Sequence, residues 1–391
     1  MIKSVKIESY KSIQELEVDV GRFNVIIGEN GAGKSNFLEA LALFGAAEAD
    51  KLDNEFLSSR GIRACAPKRM FSLFESENTE TINISLNHND NKNYHKHILK
   101  SSNETYQKLI RVYPTTKHQL EIKKLMESLE EIEKNWSERQ HKINKSRNSE
   151  SFSKKILELR SLLMETNNSV YLDTIKISDF LLYSPENTAL RNFYREGQIE
   201  PLGINGEGLL KLLKVMQETE AEAFKDVIDC LTLFDWFETI DIPQNLSSLE
   251  DKVSIKDKYL TTLFDQRSAN EGFLFVLFYA ALFCSQFTPK IFAIDNIDAS
   301  FNPKLCTVLI KKLVELAKKY DKQVFVTTHN PAILDGIDLN DEEQRLLIAS
   351  RNLNGHTQID QLKLTDKQKI SPTKLSEAFL RGYIGGLPEN F

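Results

Sequence analysis

The sequence predicts an α/β fold in which a mixed and parallel sheet is joined by crossover helices, with a helical hairpin inserted into it. Three observations carry this. The first 27 residues read as strands, and the last strand runs into a glycine-rich turn and a helix. From Val253 onward the pattern is strand, helix, strand, helix, strand, the order of a parallel sheet with crossovers. Between these, residues 106–165 take the spacing of amphipathic helices.

In chain order, Val5, Ile7 and Ser9 alternate with Lys6 and Glu8, and Leu16, Val18 and Val20 alternate with Glu15, Glu17 and Asp19. A period of two is the mark of a half-buried strand. Phe23 to Ile27 is almost continuously apolar, as a central strand buried on both faces requires. A helix is expected from Ser35 to about Phe44. Within residues 80–100, Ile82, Ile84 and Leu86 alternate again and lead into polar sequence. There His88, His95 and His97 read as a solvated edge, because no carboxylate or cysteine cluster accompanies them in sequence. Leu125, Leu129, Ile132 and Trp136, then Phe152, Ile156, Leu159 and Leu163, predict two antiparallel helices, either a short coiled coil or an ordinary two-helix subdomain. Its tip carries Lys142, Lys145 and Arg147 and reads as solvated, contact with DNA or a partner being the alternative. Gly206-Glu207-Gly208 precede a helix with Leu209, Leu212, Leu213 and Met216 on one face.

Composition narrows the class. The 391 residues carry 50 Lys+Arg and 56 Asp+Glu, a net charge of −6, with 41% hydrophobic and 27% charged residues, which excludes a disordered or fibrous chain. The acidity argues against a surface built throughout for nucleic acid, though a local basic groove stays open. The longest apolar run, Phe273 to Cys284, is too short to span a bilayer. With no leader-like segment at Met1-Ile2-Lys3-Ser4, the expectation is a cytoplasmic protein with no membrane partner. Cys65, Cys230, Cys284 and Cys306 are scattered and are expected to pack as small apolar residues.

Three motifs carry chemistry. Gly28-Glu29-Asn30-Gly31-Ala32-Gly33-Lys34-Ser35 fits G-x-x-x-x-G-K-[ST], between a buried strand and a helix. Glycines there let backbone N–H groups turn inward around phosphates, and the helix N-terminus adds its positive dipole. Lys34 is expected to reach the β- and γ-phosphates and Ser35 to bind Mg²⁺. An apolar strand ending in Asp295 places a carboxylate at the sheet edge as a second Mg²⁺ residue. A third apolar strand ends in Thr327-Thr328-His329-Asn330-Pro331, where His329 is positioned to hydrogen-bond a γ-phosphate.

Together these motifs resemble the ABC-type ATPase heads of the SMC, RecF and overcoming-lysogenisation group. The opening Ile7-Glu8-Ser9-Tyr10-Lys11-Ser12-Ile13 resembles the start of such heads, which implies that Lys11 and Ser12 lie near the nucleotide, with Asn30, Gly31, Ala32, Gly33, Lys34, Ser35 and Asn36 binding ATP and Ser35 and Asp295 holding Mg²⁺. His329 matches the switch histidine. The resemblance covers roughly residues 1–45 and 180–337. It divides the chain into an N-terminal head lobe at 1–105, the inserted hairpin at 106–170, a C-terminal lobe at 171–340 and an extension at 341–391. Within the group the chain looks most like small ATPases of bacterial anti-phage defence operons, of the Septu and retron-associated type. The carriers are Asp295-Asn296-Ile297-Asp298 with Asn302-Pro303, the Thr328-His329-Asn330-Pro331 motif and the ending Leu380 to Pro388. That likeness implies a separate effector partner, a nuclease or toxin.

Two departures stand out. The signature that completes the ATP site across a dimer usually has serine before its glycine; here Ala269-Asn270-Glu271-Gly272-Phe273 offers Asn270, with Gly272 expected to approach the γ-phosphate of the second subunit. Most such heads also carry Glu after the Mg²⁺-site Asp, whereas this chain has Asn296. An amide cannot accept a proton from water at neutral pH, so hydrolysis is expected to be slow, with Asp298 as a substitute. Asp295, Asn296, Asp298 and His329 are thus the expected catalytic group. The expected assembly is a homodimer, or a higher homo-oligomer, clamped by ATP. The alternatives are a RecF-like ATPase binding DNA in repair, to which Arg60, Arg63, Lys68 and Arg69 could contribute, and a binding switch without turnover. The tail from Gly382 to Phe391 reads as a docking segment or as a strap on its own domain.

Overall fold

A computed structural model describes residues 1–63, 65–74, 80–88, 94–102, 107–112, 176–192, 199–243, 252–362 and 374–387. The chain divides into two compact units, residues 1–110 with 176–391, and residues 111–175. The expected helical hairpin and its basic tip lie outside the described residues.

The first unit holds three sheets. One is the antiparallel series β2 (Ile13–Asp19), β1 (Ser4–Tyr10), β4 (Thr81–Asn87), β5 (Tyr94–Ser101) and β6 (Leu109–Val112). The second runs β13 (Thr357–Gln361), β12 (Gln344–Arg351), β3 (Phe23–Gly28), β11 (Gln323–Thr327), β10 (Ile291–Ile294) and β7 (Leu181–Tyr183). All its pairings are parallel except that of β13 with β12. A small ribbon pairs β8 (Phe237–Asp241) with β9 (Ser254–Asp257). The helices are α1 (Lys34–Glu48), α2 (Asn54–Ser59), α3 (Asn187–Arg191), α4 (Leu209–Thr219), α5 (Ala221–Leu231), α6 (Glu271–Cys284), α7 (Pro303–Lys319) and α8 (Leu375–Leu380).

The apolar runs account for the architecture. Every residue of β3, β10 and β11 is buried, because helices cover both faces of a parallel sheet. Pairing aligns Ile294 with Val326 and Thr327 with Ile26, so these three strands end at one edge. That edge is where an open parallel sheet binds its ligand. Helix α6 is apolar all round and buried from Gly272 to Cys284, as a helix inside the core must be. Phe283 packs edge-on to Phe292 of β10 at 5.2 Å. No helix among the described residues is long and apolar enough to cross a membrane. Cys230, Cys284 and Cys306 are buried and free, and burial pushes the thiols of Cys230 and Cys306 up to about 12 and about 11.

Two expectations change, for α1 and for the histidines of β5. Helix α1 runs four residues past Phe44, because Gly45 lets the backbone at Ile177 close on it: a Cβ there would stand 2.5 Å from the Ile177 carbonyl oxygen. The histidines of β5 are not a solvated edge. Alternate strand residues share a face, and here the 95/97 face turns onto the end of α1, burying His97 completely and leaving His95 17% exposed. The missing carboxylate comes from Glu48, far away in sequence; His88 remains partly exposed. The C-terminal segment straps its own unit over its described part: Ala378, Phe379 and Ile384 join the core, and Ser376 hydrogen-bonds Asp335. Leu380 and Tyr383 stay exposed.

Candidate functional site: a nucleotide cradle at the sheet edge

The loop after β3 is shaped by backbone that only glycine adopts readily. Gly28, Gly31 and Gly33 all have positive φ. Gly33 also has no room for a side chain, since a Cβ would stand 2.1 Å from Thr357 Oγ1. Gly31, by contrast, faces open space. The Lys34 ammonium folds back over the loop and donates to the carbonyl oxygens of Gly28 (2.8 Å) and Glu29 (2.9 Å). Burial lowers its pKa, and the carboxylates of Asp295 and Glu29 oppose the shift. This is a partly desolvated cation folded over a glycine loop at a helix N-terminus, a setting that suits phosphate.

The ends of the other two strands close on the same loop. Ser35 Oγ donates to Asp295 Oδ2 at 3.0 Å, and the Thr327 hydroxyl donates to Asp295 Oδ1. A serine hydroxyl beside a carboxylate is a hard oxygen pair, which fits Mg²⁺. Thr327 also accepts from the backbone N–H of Asn296 (2.9 Å), so one threonine ties β10 to β11 at the site.

Past Asp295 the chain makes a tight turn. Asn296 is exposed with φ of 55°, a left-handed conformation that Asn tolerates better than Glu. Asp298 Oδ1 is buried and makes no hydrogen bond among the described residues. His329 stands exposed at the end of β11. Burial lowers its pKa and Lys34 adds to the shift, while Asp298 and Asp295 oppose it. The shift favours the neutral imidazole, which can share a hydrogen bond with phosphate or water.

The signature-like segment opens α6. Asn270 Oδ1 caps the helix by accepting from Phe273 N–H at 2.8 Å. Gly272 packs beside the turn after Asp295: a Cβ there would meet the Ser300 carbonyl oxygen at 3.2 Å and the Phe301 ring at 3.4 Å. Asn270 is thus a helix cap, and Gly272 permits close packing on the turn at Ser300 and Phe301.

Comparison with known proteins fits this geometry. The family model described as AAA ATPase domain matches residues 1–334. The chain belongs to this AAA ATPase domain family. A curated relative, an uncharacterized protein of Methanocaldococcus jannaschii named MJECL10, is 33% identical over 112 residues, 27% of this chain. The match spans about half (49%) of that relative's length. Among solved structures, an Smc head bound to the C-terminal winged-helix domain of ScpA matches with TM-score 0.53 and 14% identity, over 94% of this chain and 99% of that one. An Smc head from Pyrococcus furiosus with an extended coiled coil, bound to the C-terminal domain of ScpA, matches with TM-score 0.49 and 14% identity, over 94% and 98%. The fold of this AAA ATPase domain, resting on the first of these, is that of an SMC head.

Around the cradle the AAA ATPase domain has a flank of which the linear motifs show only part. Ser12 shares a hydrogen bond with Thr357 (2.7 Å), accepts from Asn36 Nδ2 (2.7 Å), and lies against Gly33. The Lys11 ammonium pairs with Glu39, a buried carboxylate of α1 that also receives Arg63 and Tyr10. Arg63 bridges on to Asn36 Oδ1 at 2.8 Å. Thr357 holds the loop by donating to Ala32 O (2.8 Å), and Arg351 donates to Gly31 O (2.9 Å). Thr357 and Arg351 come from β13 and the end of β12, more than 300 residues along the chain. No sequence signal marks them, since a lone threonine and arginine on a strand pair have no pattern.

Proposed function

We propose that this protein binds ATP with Mg²⁺, hydrolyses it slowly, and uses the bound nucleotide to clamp two copies together as a sensor or scaffold for a separate effector, such as a nuclease or toxin of anti-phage defence. The observation that supports the chemistry is the hydrogen-bonded junction of Ser35, the residue after Lys34 at the start of α1, with Asp295 and Thr327 at two strand ends. In this reading Asn30, Gly31, Ala32, Gly33 and Lys34 surround the phosphates and Ser35 and Asp295 hold Mg²⁺, which neutralises charge on the β- and γ-oxygens. Asn296 positions water but takes no proton. Asp298, with one buried carboxylate oxygen lacking a hydrogen bond among the described residues, stands as the substitute base near His329. Losing an optimally placed base costs about 10²–10⁴ in rate, which brings a typical turnover of about 10 s⁻¹ below about 1 s⁻¹.

ATP held by Lys34 of one subunit and Gly272 of the other binds the closed dimer better than the open monomer, which is the differential affinity a clamp requires. Domain boundaries near residues 105, 170 and 340 belong to the same reading, with the inserted segment and the C-terminal extension transmitting closure. The association of the first of these Smc heads with ScpA supports the idea that such a head engages a second protein. The DNA-repair alternative loses two of its four cations. Arg60 donates to the Phe180 carbonyl oxygen and stacks on Phe56, and Arg63 is committed to Glu39 and Asn36.

The deciding experiment is a tagged pull-down from the native host with ATP and Mg²⁺, paired with phosphate release by the purified protein. Recovery of a stoichiometric effector and release slower than about 1 s⁻¹ support the proposal. Fast release unaffected by Asp298→Asn sinks the slow-clamp mechanism. DNA binding that tightens with ATP and weakens steeply with salt moves the assignment to the RecF-like reading.

A further inference from the structure

The far end of α1 carries a second constellation, unrelated to the nucleotide cradle. His95 and His97 alternate on β5 and therefore project from one face. Their Nε2 atoms stand 3.1 and 2.7 Å from the same oxygen, Oε2 of Glu48. The three potential ligand atoms lie within 4.8 Å of one another. Ligand atoms about 2.0–2.1 Å from a tetrahedral zinc stand about 3.3 Å apart, so small side-chain adjustments suffice to seat an ion. The two rings meet edge-to-face at 4.9 Å, and Phe44 walls them at 5.6 and 4.3 Å, which restricts their rotation. His97 is fully buried, while His95 and Glu48 keep 17% and 19% of their side chains exposed, so one side of the triad opens to water.

We propose that Glu48, His95 and His97 form a binding site for a divalent transition-metal ion of the zinc class, with water as the fourth ligand. The convergence of two imidazoles on one oxygen is what selects this reading. That oxygen has lone pairs for both imidazole N–H groups, and an ion that displaces those protons would be held by the same three ligand atoms, which already stand within 4.8 Å of one another. Two imidazoles and one carboxylate suit Zn²⁺, Co²⁺ or Ni²⁺ and not Mg²⁺ or Ca²⁺, which prefer all-oxygen sets. The ion braces the C-terminal end of the helix that begins at Lys34 against the antiparallel sheet. It sits about 20 Å along α1 from the cradle, at 1.5 Å per residue, so its occupancy is separable from that of the nucleotide site.

The test uses the full-length, tag-free protein, stripped by chelation and titrated with Zn²⁺ or Co²⁺ in excess Mg²⁺. One tightly bound Zn²⁺ per chain, a four-coordinate Co²⁺ absorption spectrum and a raised melting temperature are expected. Altering groups that merely orient a ligand weakens metal binding about 10–100-fold, so Glu48→Gln and His95→Asn should each weaken it by at least about 100-fold with an unchanged circular dichroism spectrum. If Glu48→Gln fails to fold, the more peripheral His95→Asn decides alone. No uptake at micromolar Zn²⁺, a six-coordinate Co²⁺ spectrum, or uptake unchanged in the variants overturns the proposal.

Discussion

The two ends of helix α1 are built on opposite principles. Its N-terminus is a glycine turn, open at Gly31, where one contiguous octapeptide supplies the loop, the cation and the hydroxyl. Its C-terminus is a triad of one helix carboxylate and two strand imidazoles, walled on one side by Phe44. The first depends on backbone conformation and tolerates no Cβ at Gly33; the second depends on side chains that meet only after two elements pack. A local motif therefore makes one end robust, and a tertiary contact makes the other.

The largest effect expected is from Gly33→Ala. Left-handed backbone costs an L-residue about 1–2 kcal/mol, and the Thr357 clash adds to it. Nucleotide affinity, read by fluorescent-ATP titration, should fall by at least about 100-fold, a loss of about 3 kcal/mol at 1.4 kcal/mol per factor of ten. Unchanged affinity would mean that the loop is not the cradle. Next comes Gly45→Val, between the two ends. Overpacking against the Ile177 carbonyl should lower stability in chemical denaturation by about 2–3 kcal/mol, with nucleotide affinity altered much less in whatever protein remains folded.

A crossed pair sharpens the contrast further. Asp295→Asn should reduce the Mg²⁺-dependence of ATP binding about tenfold, on the order of the 1.5–3 kcal/mol of a charged hydrogen bond, and leave the melting temperature nearly unchanged. Glu48→Gln should do the reverse. Burial pushes the Glu48 carboxyl up, but hydrogen bonds and charge from His95 and His97 more than reverse this, leaving it well below the usual carboxylate range. Its folded pKa is thus lower than its unfolded one, so its stabilisation is full above the ordinary value of 4.5 and is lost as pH falls below that. The melting deficit of Glu48→Gln should accordingly shrink below pH 4.5. If Asp295→Asn and Glu48→Gln affect both readouts alike, the two ends are one coupled site. The smallest effect expected is from Arg351→Ala, which removes an exposed hydrogen bond to Gly31 O and should weaken ATP binding by about 0.5–1.5 kcal/mol.

How far the sequence reaches follows the same division. The strands β1, β2 and β3, the turn after β3, the strand–helix alternation from α6 to β11 and the endings Asp295 and His329 are legible, because period, apolar runs and glycine spacing are local properties of the chain. The strand edge that unites Gly28, Asp295 and Thr327 follows from parallel order alone. What the sequence does not carry is partnership at a distance. The sequence shows neither that Glu39 pairs with Lys11 nor that Asn270 caps α6. Thr357 and Arg351 reach the loop from a strand pair with no motif, and His95 and His97 read as surface until Glu48 arrives from another element. Each of these depends on which surfaces are buried against each other, a cooperative outcome of packing the whole unit. The sequence by itself determines the local chemistry at the start of α1. Only the tertiary structure decides what waits at its end.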